Sequence, residues 1–267
     1  MLTVAKNYWN FFCNSLKCNL KSVAEYKKSF FIQSVCMIFN DLFFLVFWIV
    51  VFNSNNGNIN GTTMNDIMFI WSIPTIAYGI ANFFFGGTNK LGTYLLEGGL
   101  DSFLVQPKSV IISVMLSGME FSAFGDLLYG AVVGFIAVEF NIAKFILLLI
   151  LGIISSIFFI CTQTIIRLLT VFIGNTDNIE RVYTNSMMIN FASYPEVIYG
   201  SAVKFLIYTI IPSAYVSFVP IKIITTFDFK FVFLFIIALI SYVGITFLIS
   251  KNVFKKYESG NNIALKG

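Results

Sequence analysis

Histidine is missing from this chain of 267 residues, and charge is scarce. Without an imidazole there is no Ser-His-Asp constellation, and the commonest general base and metal ligand is gone. Charged residues make up 11% of the chain, against about 25% in a soluble domain. Cysteine is limited to Cys13, Cys18, Cys36 and Cys161, with no C-x-x-C pair, so neither a zinc site nor a redox dithiol is indicated. No G-x-x-x-x-G-K-[ST] phosphate loop occurs, and the pairs Gly86-Gly87 and Gly98-Gly99 lack the Lys-Ser/Thr that would make them phosphate cradles. No catalytic residue and no metal site is expected on this chain.

What is present is apolar: 58% of residues are hydrophobic and 18% aromatic. Such a composition, arranged in long runs, reads as an all-α integral membrane protein. The net charge of +4 is small, and the lysines gather at the chain ends. That is an orientation signal, not a nucleic-acid patch. Heavy use of Phe, Ile, Asn and Lys fits an AT-rich, bacterial genome.

Residues 1–28 hold too many polar groups to span. On a helical projection Lys6, Lys17, Lys21 and Lys28 fall within a sector of about 60°, opposite Ala5, Tyr8, Trp9, Phe12, Leu16, Leu20 and Val23. This predicts an interfacial amphipathic helix with its lysines toward anionic headgroups of the membrane lipids. The lead does not read as a cleavable signal.

A six-span transmembrane domain is expected over residues 29–250. Its first span, Phe30 to Phe52, carries Asp41; five lysines precede it and the loop Asn53 to Thr63 has no charge. The second, Asp66 to Phe85, contains Pro74, which should kink it, and Gly79, which allows close packing. The third, Val110 to Val138, carries Glu120 and Asp126, about 240° apart on one helix and so not one paired site. The fourth, Phe145 to Ile173, carries Arg167, placed to snorkel or to pair with Glu120 or Asp126. Residues 182–230 are broken by Pro195, Pro212 and Pro220, which predicts one crossing plus a re-entrant or interfacial segment. Phe231 to Ser250 is the last span, and 251–267 is a polar tail. Of the seventeen Lys and Arg, only Lys144, Lys204, Lys222 and Lys230 then fall outside, which puts both termini in the cytoplasm. Asp41, Glu120, Asp126 and Arg167 are the candidate pathway or intramembrane polar residues.

Residues 88–107 lie on the predicted cytoplasmic side between spans two and three. Gly98 suits the C-cap of a helix beginning near Asn89, and Asp101 or Ser102 is placed to N-cap a second short turn. Two surface helices with a Gly-Gly hinge result, with Glu97 and Asp101 flanking it. This segment is the candidate handle for a soluble partner.

The run Gly98-Gly99-Leu100-Asp101-Ser102-Phe103-Leu104-Val105-Gln106-Pro107 resembles the Gly-x-Leu-Asp-x-x-Leu-x-x-Pro signature of ABC-2 type permeases, in the compact six-span bacterial exporter branch; Gln106 stands where Arg is common. Tyr194-Pro195, the Pro212 to Pro220 element with Ala214, and the close Tyr257-Glu258-Ser259-Gly260-Asn261 are similar to later features of that branch. The resemblance implies a separate ATP-binding subunit carrying ATP and Mg, with no cofactor on this chain. It implies a second permease subunit, identical or related, and a coupling role for Tyr94, Glu97, Gly98, Gly99, Leu100, Asp101, Leu104 and Pro107. The expected function is export of a hydrophobic or amphipathic compound, a lipid-linked molecule or a peptide across the cytoplasmic membrane. An ion-coupled carrier or a stand-alone membrane binding or immunity protein is the alternative, although the acids look isolated and no internal repeat is evident.

Overall fold

The computed structural model describes residues 2–257 except 56, 58 and 60, with side chains described from Lys6 onward. Residues 258–267 of the polar tail, with the Glu258-to-Asn261 part of the closing motif, lie outside the described residues, as does the Ala5 side chain. All regular elements among them are helical. α1 (Leu2–Glu25) passes into α2 (Lys27–Ser54) with a break at Tyr26. α3 (Met64–Phe85) leads through a 3-10 turn (Gly86–Lys90) into α4 (Leu91–Glu97) and α5 (Asp101–Leu104). Next come α6 (Val110–Met115), α7 (Ala123–Ala137), α8 (Ile142–Leu168), α9 (Thr170–Ile173) and α10 (Asp177–Arg181). A π-helix (Val182–Ile189) and α11 (Asn190–Ser193) follow, then a 3-10 turn (Glu196–Ile198), α12 (Ser201–Thr209), α13 (Ser213–Val216), α14 (Phe218–Thr226) and α15 (Phe229–Lys256).

Among the described residues four helical runs are long and apolar enough to cross a membrane: Lys27–Ser54, Met64–Glu97, Ile142–Ile173 and Phe229–Lys256. The predicted third span is not one helix. It unwinds between α6 and α7, leaving α7 as a shorter apolar helix. The unwound stretch exchanges its lost helical bonds for bonds to the end of α3: Gly87 N–H donates to Gly118 C=O at 3.1 Å and Glu120 N–H donates to Asn82 C=O at 3.1 Å. Hydropathy is blind to such a break, because backbone groups freed in one segment are satisfied by its neighbour.

α3 is the central helix, packed between α7 and α8 and buried on both sides. Its first turn is held by a reciprocal cap: Asp66 Oδ2 accepts from Thr63 N–H at 2.8 Å, and Thr63 Oγ1 accepts from Asp66 N–H at 3.4 Å. α3 continues through Pro74. The missing proline N–H frees the Ile70 carbonyl, and the buried Ser217 hydroxyl, next to α14, donates to it at 3.3 Å. Ser217→Ala should therefore cost about 1–2 kcal/mol by orphaning a buried carbonyl, read as a lower thermal midpoint in detergent.

Small residues bring the helices together, as membrane packing requires. Gly79 lies against α7, where an added Cβ would come within 2.8 Å of Leu127 N. At Gly125 it would meet the Ser34 carbonyl of α2 at 2.3 Å, and at Gly130 the Thr75 hydroxyl of α3 at 2.4 Å.

Both ends of the described chain meet at one end of the bundle. From α1, Tyr8 OH accepts from Ser109 N–H at 3.0 Å, Asn19 Nδ2 donates to Leu116 C=O at 3.3 Å, and Phe12 stacks on Phe85. The last turns of α15 pack on α4 through Val253 and Phe254. The chain between α11 and α15 doubles back. Tyr194 packs on Trp48 in the second half of α2. Tyr183 and Tyr242 then both donate to the Ile210 carbonyl at the end of α12, at 2.5 and 3.1 Å. Tyr242 sits midway along α15, so α12 enters to mid-height, and α14 returns to the start of α15. Glu196 anchors this hairpin, accepting from Lys222 Nζ at 2.5 Å and Tyr208 OH at 3.1 Å.

Candidate functional site

The helix-hinge-helix at residues 91–104 has two faces. Leu91, Leu95 and Leu100 are buried against Val114, Leu168 and Val253, so this face is bolted to α6, α8 and α15. On the other face Thr93, Glu97, Ser102, Leu104 and Val105 are exposed. Val105 is 84% exposed and Leu104 43%, an unusual outlay of apolar surface at a bundle end that also carries polar groups. Pro107 is exposed as well. Sequence reasoning did not single out Val105; only its exposure does.

Gly98 ends α4 at φ 76, in the left-handed region that a Cβ disfavours. Leu100 N–H then reaches back to Tyr94 C=O at 3.3 Å. Gly99 lies under the Tyr94 ring, where an added Cβ would come within 2.9 Å of Tyr94 Cδ1. Tyr94 in turn packs on Phe103 at 5.3 Å between ring centroids. Tyr94 and Leu100 therefore shape the hinge and do not project from it. The predicted cap of the second turn is corrected: its N-cap is Leu100, with no side-chain cap bond. Ser102 Oγ donates to Gly99 C=O at 3.0 Å. Asp101 lies beside Tyr257 at the end of α15; burial, then the Asp101 carboxylate, raises the pKa of the Tyr257 hydroxyl.

Arg167 lies directly beneath α4. Its pairing with Glu120 or Asp126 is not found, nor does it snorkel: it is 6% exposed and held by Asp177 and by Glu180, the latter at 3.2 Å from Nη2. The partners follow ten and thirteen residues later on α10. Nearness in sequence was the usable signal. Gly92 of α4 packs on this group, where a Cβ would sit 3.1 Å from Thr170 Oγ1 and 3.5 Å from Arg167 Cδ. Thr170 and Thr176 hydroxyls hydrogen-bond each other at 2.6 Å and close the loop after α9.

Glu120 is not inside a helix. It lies in the break before α7, accepting from Asn89 Nδ2 at 3.0 Å. Asn89 also donates to Asn82 Oδ1, as does the buried Gln163 of α8, at 3.3 and 3.2 Å. This amide network ties the foot of α3 to α8 and to the break.

Asp41 and Asp126 are not isolated. α2 and α7 bring them together in one cavity, each 3% exposed and the two carboxyls within hydrogen-bonding reach of each other. The contact depends on Gly125, next to Asp126, which lets α2 approach. Among the described residues no group of three or more His, Cys, Asp or Glu is placed to hold a metal ion.

A family model described as ABC-2 family transporter protein matches residues 37–260, which takes in the hinge, the Arg167 group and the Asp41–Asp126 cavity. No curated protein and no solved structure matches the chain.

Proposed function

This chain belongs to the ABC-2 transporter family, and from that premise we propose that it is the permease of an exporter driven by a separate ATP-binding subunit. Permeases of this family are multi-pass membrane proteins that normally work with such a subunit. In our reading the chain crosses six times, both termini are cytoplasmic, and a second permease, identical or related, completes the pathway. The domains are then an interfacial helix over 1–28, a transmembrane domain over 29–250 containing the coupling segment 88–107, and a tail over 251–267. The cargo is a hydrophobic or amphipathic compound, a lipid-linked molecule or a peptide. ATP and Mg are bound by the partner.

The observation that carries this reading is the two-faced hinge. A rigid push needs a lever fixed on one side and accessible on the other. Leu91, Leu95 and Leu100 supply the fixed side; Glu97, Leu104 and Val105 supply the accessible side. α1 braces the lever through Tyr8 and through Lys108, whose ammonium lies 3.7 Å from the centre of the Phe11 ring. Movement of the lever passes to α8 and α15 through the leucines.

Val105→Asp should leave membrane insertion and thermal midpoint at wild-type values, because the side chain touches little of its own protein. It should reduce ATPase stimulation by the reconstituted permease about tenfold, the size of a modest hot-spot loss. Asp101→Lys, or bulky residues at Gly98 and Gly99, should uncouple ATP hydrolysis from transport as well. Normal coupling in Val105→Asp would refute the docking role. Topology is checked separately: in a cysteine-free background, a cysteine at position 97 should react with a membrane-impermeant maleimide only after lysis, and one at position 57 in intact cells. The reverse pattern would invert the orientation.

A further inference from the structure

The Asp41–Asp126 cavity has features that the coupling role does not use. It is about 300 Å³ in volume, within the range of small-ligand sites. Asp41 and Asp126 stand in its wall, and Trp71 and Tyr78 of α3 and Asn185 of the π-helix line it. Among the described residues no Lys or Arg lines it. Both carboxyls are buried and lie within hydrogen-bonding reach of each other, with no other side chain bonded to their Oδ2 atoms. The rim is amide: Asn40, Asn185 and Asn190 line the cavity and are exposed.

Those exposed amides matter because α2 is a spanning helix and Asn40 is midway along it. Amide groups facing lipid tails are costly, so this opening belongs on an aqueous pathway or against another subunit. The π-helix adds a second indication. Such helices are rare and concentrate where side chains must be aimed at a function, and this one places Asn185 at the mouth.

The complement of a buried carboxyl pair, amide rims and two aromatic residues in the wall is an organic cation with N–H donors and an apolar body. A bare metal ion fits less well, since only two carboxylates converge in a space far larger than an ion. We propose that this cavity binds the ammonium group of an amphipathic amine, with Asp41 and Asp126 holding the charge and Trp71 and Tyr78 enclosing the adjoining carbons. This rests on the permease reading for its meaning, since it makes the cargo a cationic amphiphile. Its test needs no ATP-binding subunit, so failure here and failure of coupling are distinguishable.

The purified chain, in an uncharged detergent, is titrated calorimetrically with decylammonium chloride, with empty micelles as the blank. Saturable binding of one equivalent per chain is expected, with none for decanol or decyl sulfate. Asp41→Asn/Asp126→Asn should weaken it at least tenfold. Asn185→Leu, which narrows the mouth without touching either acid, should do the same, and it decides the matter if the double variant does not fold. Equal affinity in a folded variant, equal binding of decanol, or displacement of the amine by millimolar sodium chloride would overturn the proposal. Repeating the titration in nanodiscs identifies the source: phosphatidylethanolamine discs should suppress amine binding relative to phosphatidylcholine discs if a lipid headgroup is the natural ligand, and leave it unchanged if a free amine is.

Discussion

Gly87→Ala is expected to prevent accumulation of folded protein. A Cβ built at this position would fall 2.0 Å from the Val114 carbonyl oxygen, 2.8 Å from Ser117 Oγ and 2.9 Å from the Met115 carbonyl oxygen. Two of these are backbone atoms at the end of α6 and cannot rotate away. The same residue donates its N–H to Gly118 C=O at 3.1 Å, so separating the segments also breaks the bond that compensates the unwound stretch. Overpacking of this kind costs about 3 kcal/mol, and loss of the compensating bond about 1 kcal/mol more. The control is Gly244→Ala in α15, where an added Cβ meets nothing within 4 Å. Size-exclusion profiles of tagged protein from membranes should show a monodisperse peak for Gly244→Ala and aggregate for Gly87→Ala. Equal peaks would mean that the 3-10 turn does not sit against α6.

The contrast between these glycines shows what the sequence discloses. The class of the protein was legible in composition, since no soluble fold tolerates so many long apolar runs. The hinge was legible as well. Gly98 followed a short amphipathic stretch, and a left-handed C-cap is the ordinary use of glycine there. Gly86-Gly87 offers the same local signal after α3, but the role of Gly87 is close approach to a segment some thirty residues away. Local pattern cannot carry that information. The break before α7 was hidden for the same reason: the flanking apolar runs absorb Leu116 to Ser122 into one apparent span, and its bonds to Asn82 and Gly87 reveal otherwise. Asp41 and Asp126 were both seen as costly intramembrane acids. Their meeting depended on α2 packing against α7 at Gly125, a tertiary fact with no signature along the chain. Where the segment around α5 buries Leu100 and leaves Val105 exposed, the pattern gave an apolar face without saying which leucines would turn inward.

Arg167→Met should lower the thermal midpoint sharply and weaken coupling at the same time. The guanidinium is buried beneath α4 and serves two acids with different access to water: the Asp177 side chain is 47% exposed, whereas that of Glu180 is 9% exposed. Removing the cation lets Asp177 turn to solvent at little cost. Glu180 has no such escape, and a stranded buried charge costs about 3–5 kcal/mol. That corresponds to a fall of about 6–15 °C in the midpoint for a chain of this size. The asymmetry gives a strict check. Arg167→Met/Glu180→Met should recover most of the loss, because it removes the stranded charge, whereas Arg167→Met/Asp177→Asn should recover little. Equal recovery by both double variants would mean that burial does not set the cost. The consequence for coupling follows from Gly92, which rests on Thr170 and Arg167. With the ion group gone α10 is no longer held to α8, and the floor under α4 yields when the hinge is pushed. In the Arg167→Met/Glu180→Met protein, where stability is restored but the group is still absent, ATPase stimulation should stay depressed. Full recovery of both quantities would reduce Arg167 to a stabilising residue; recovery of stability alone identifies it as the positioning residue that keeps the lever stiff.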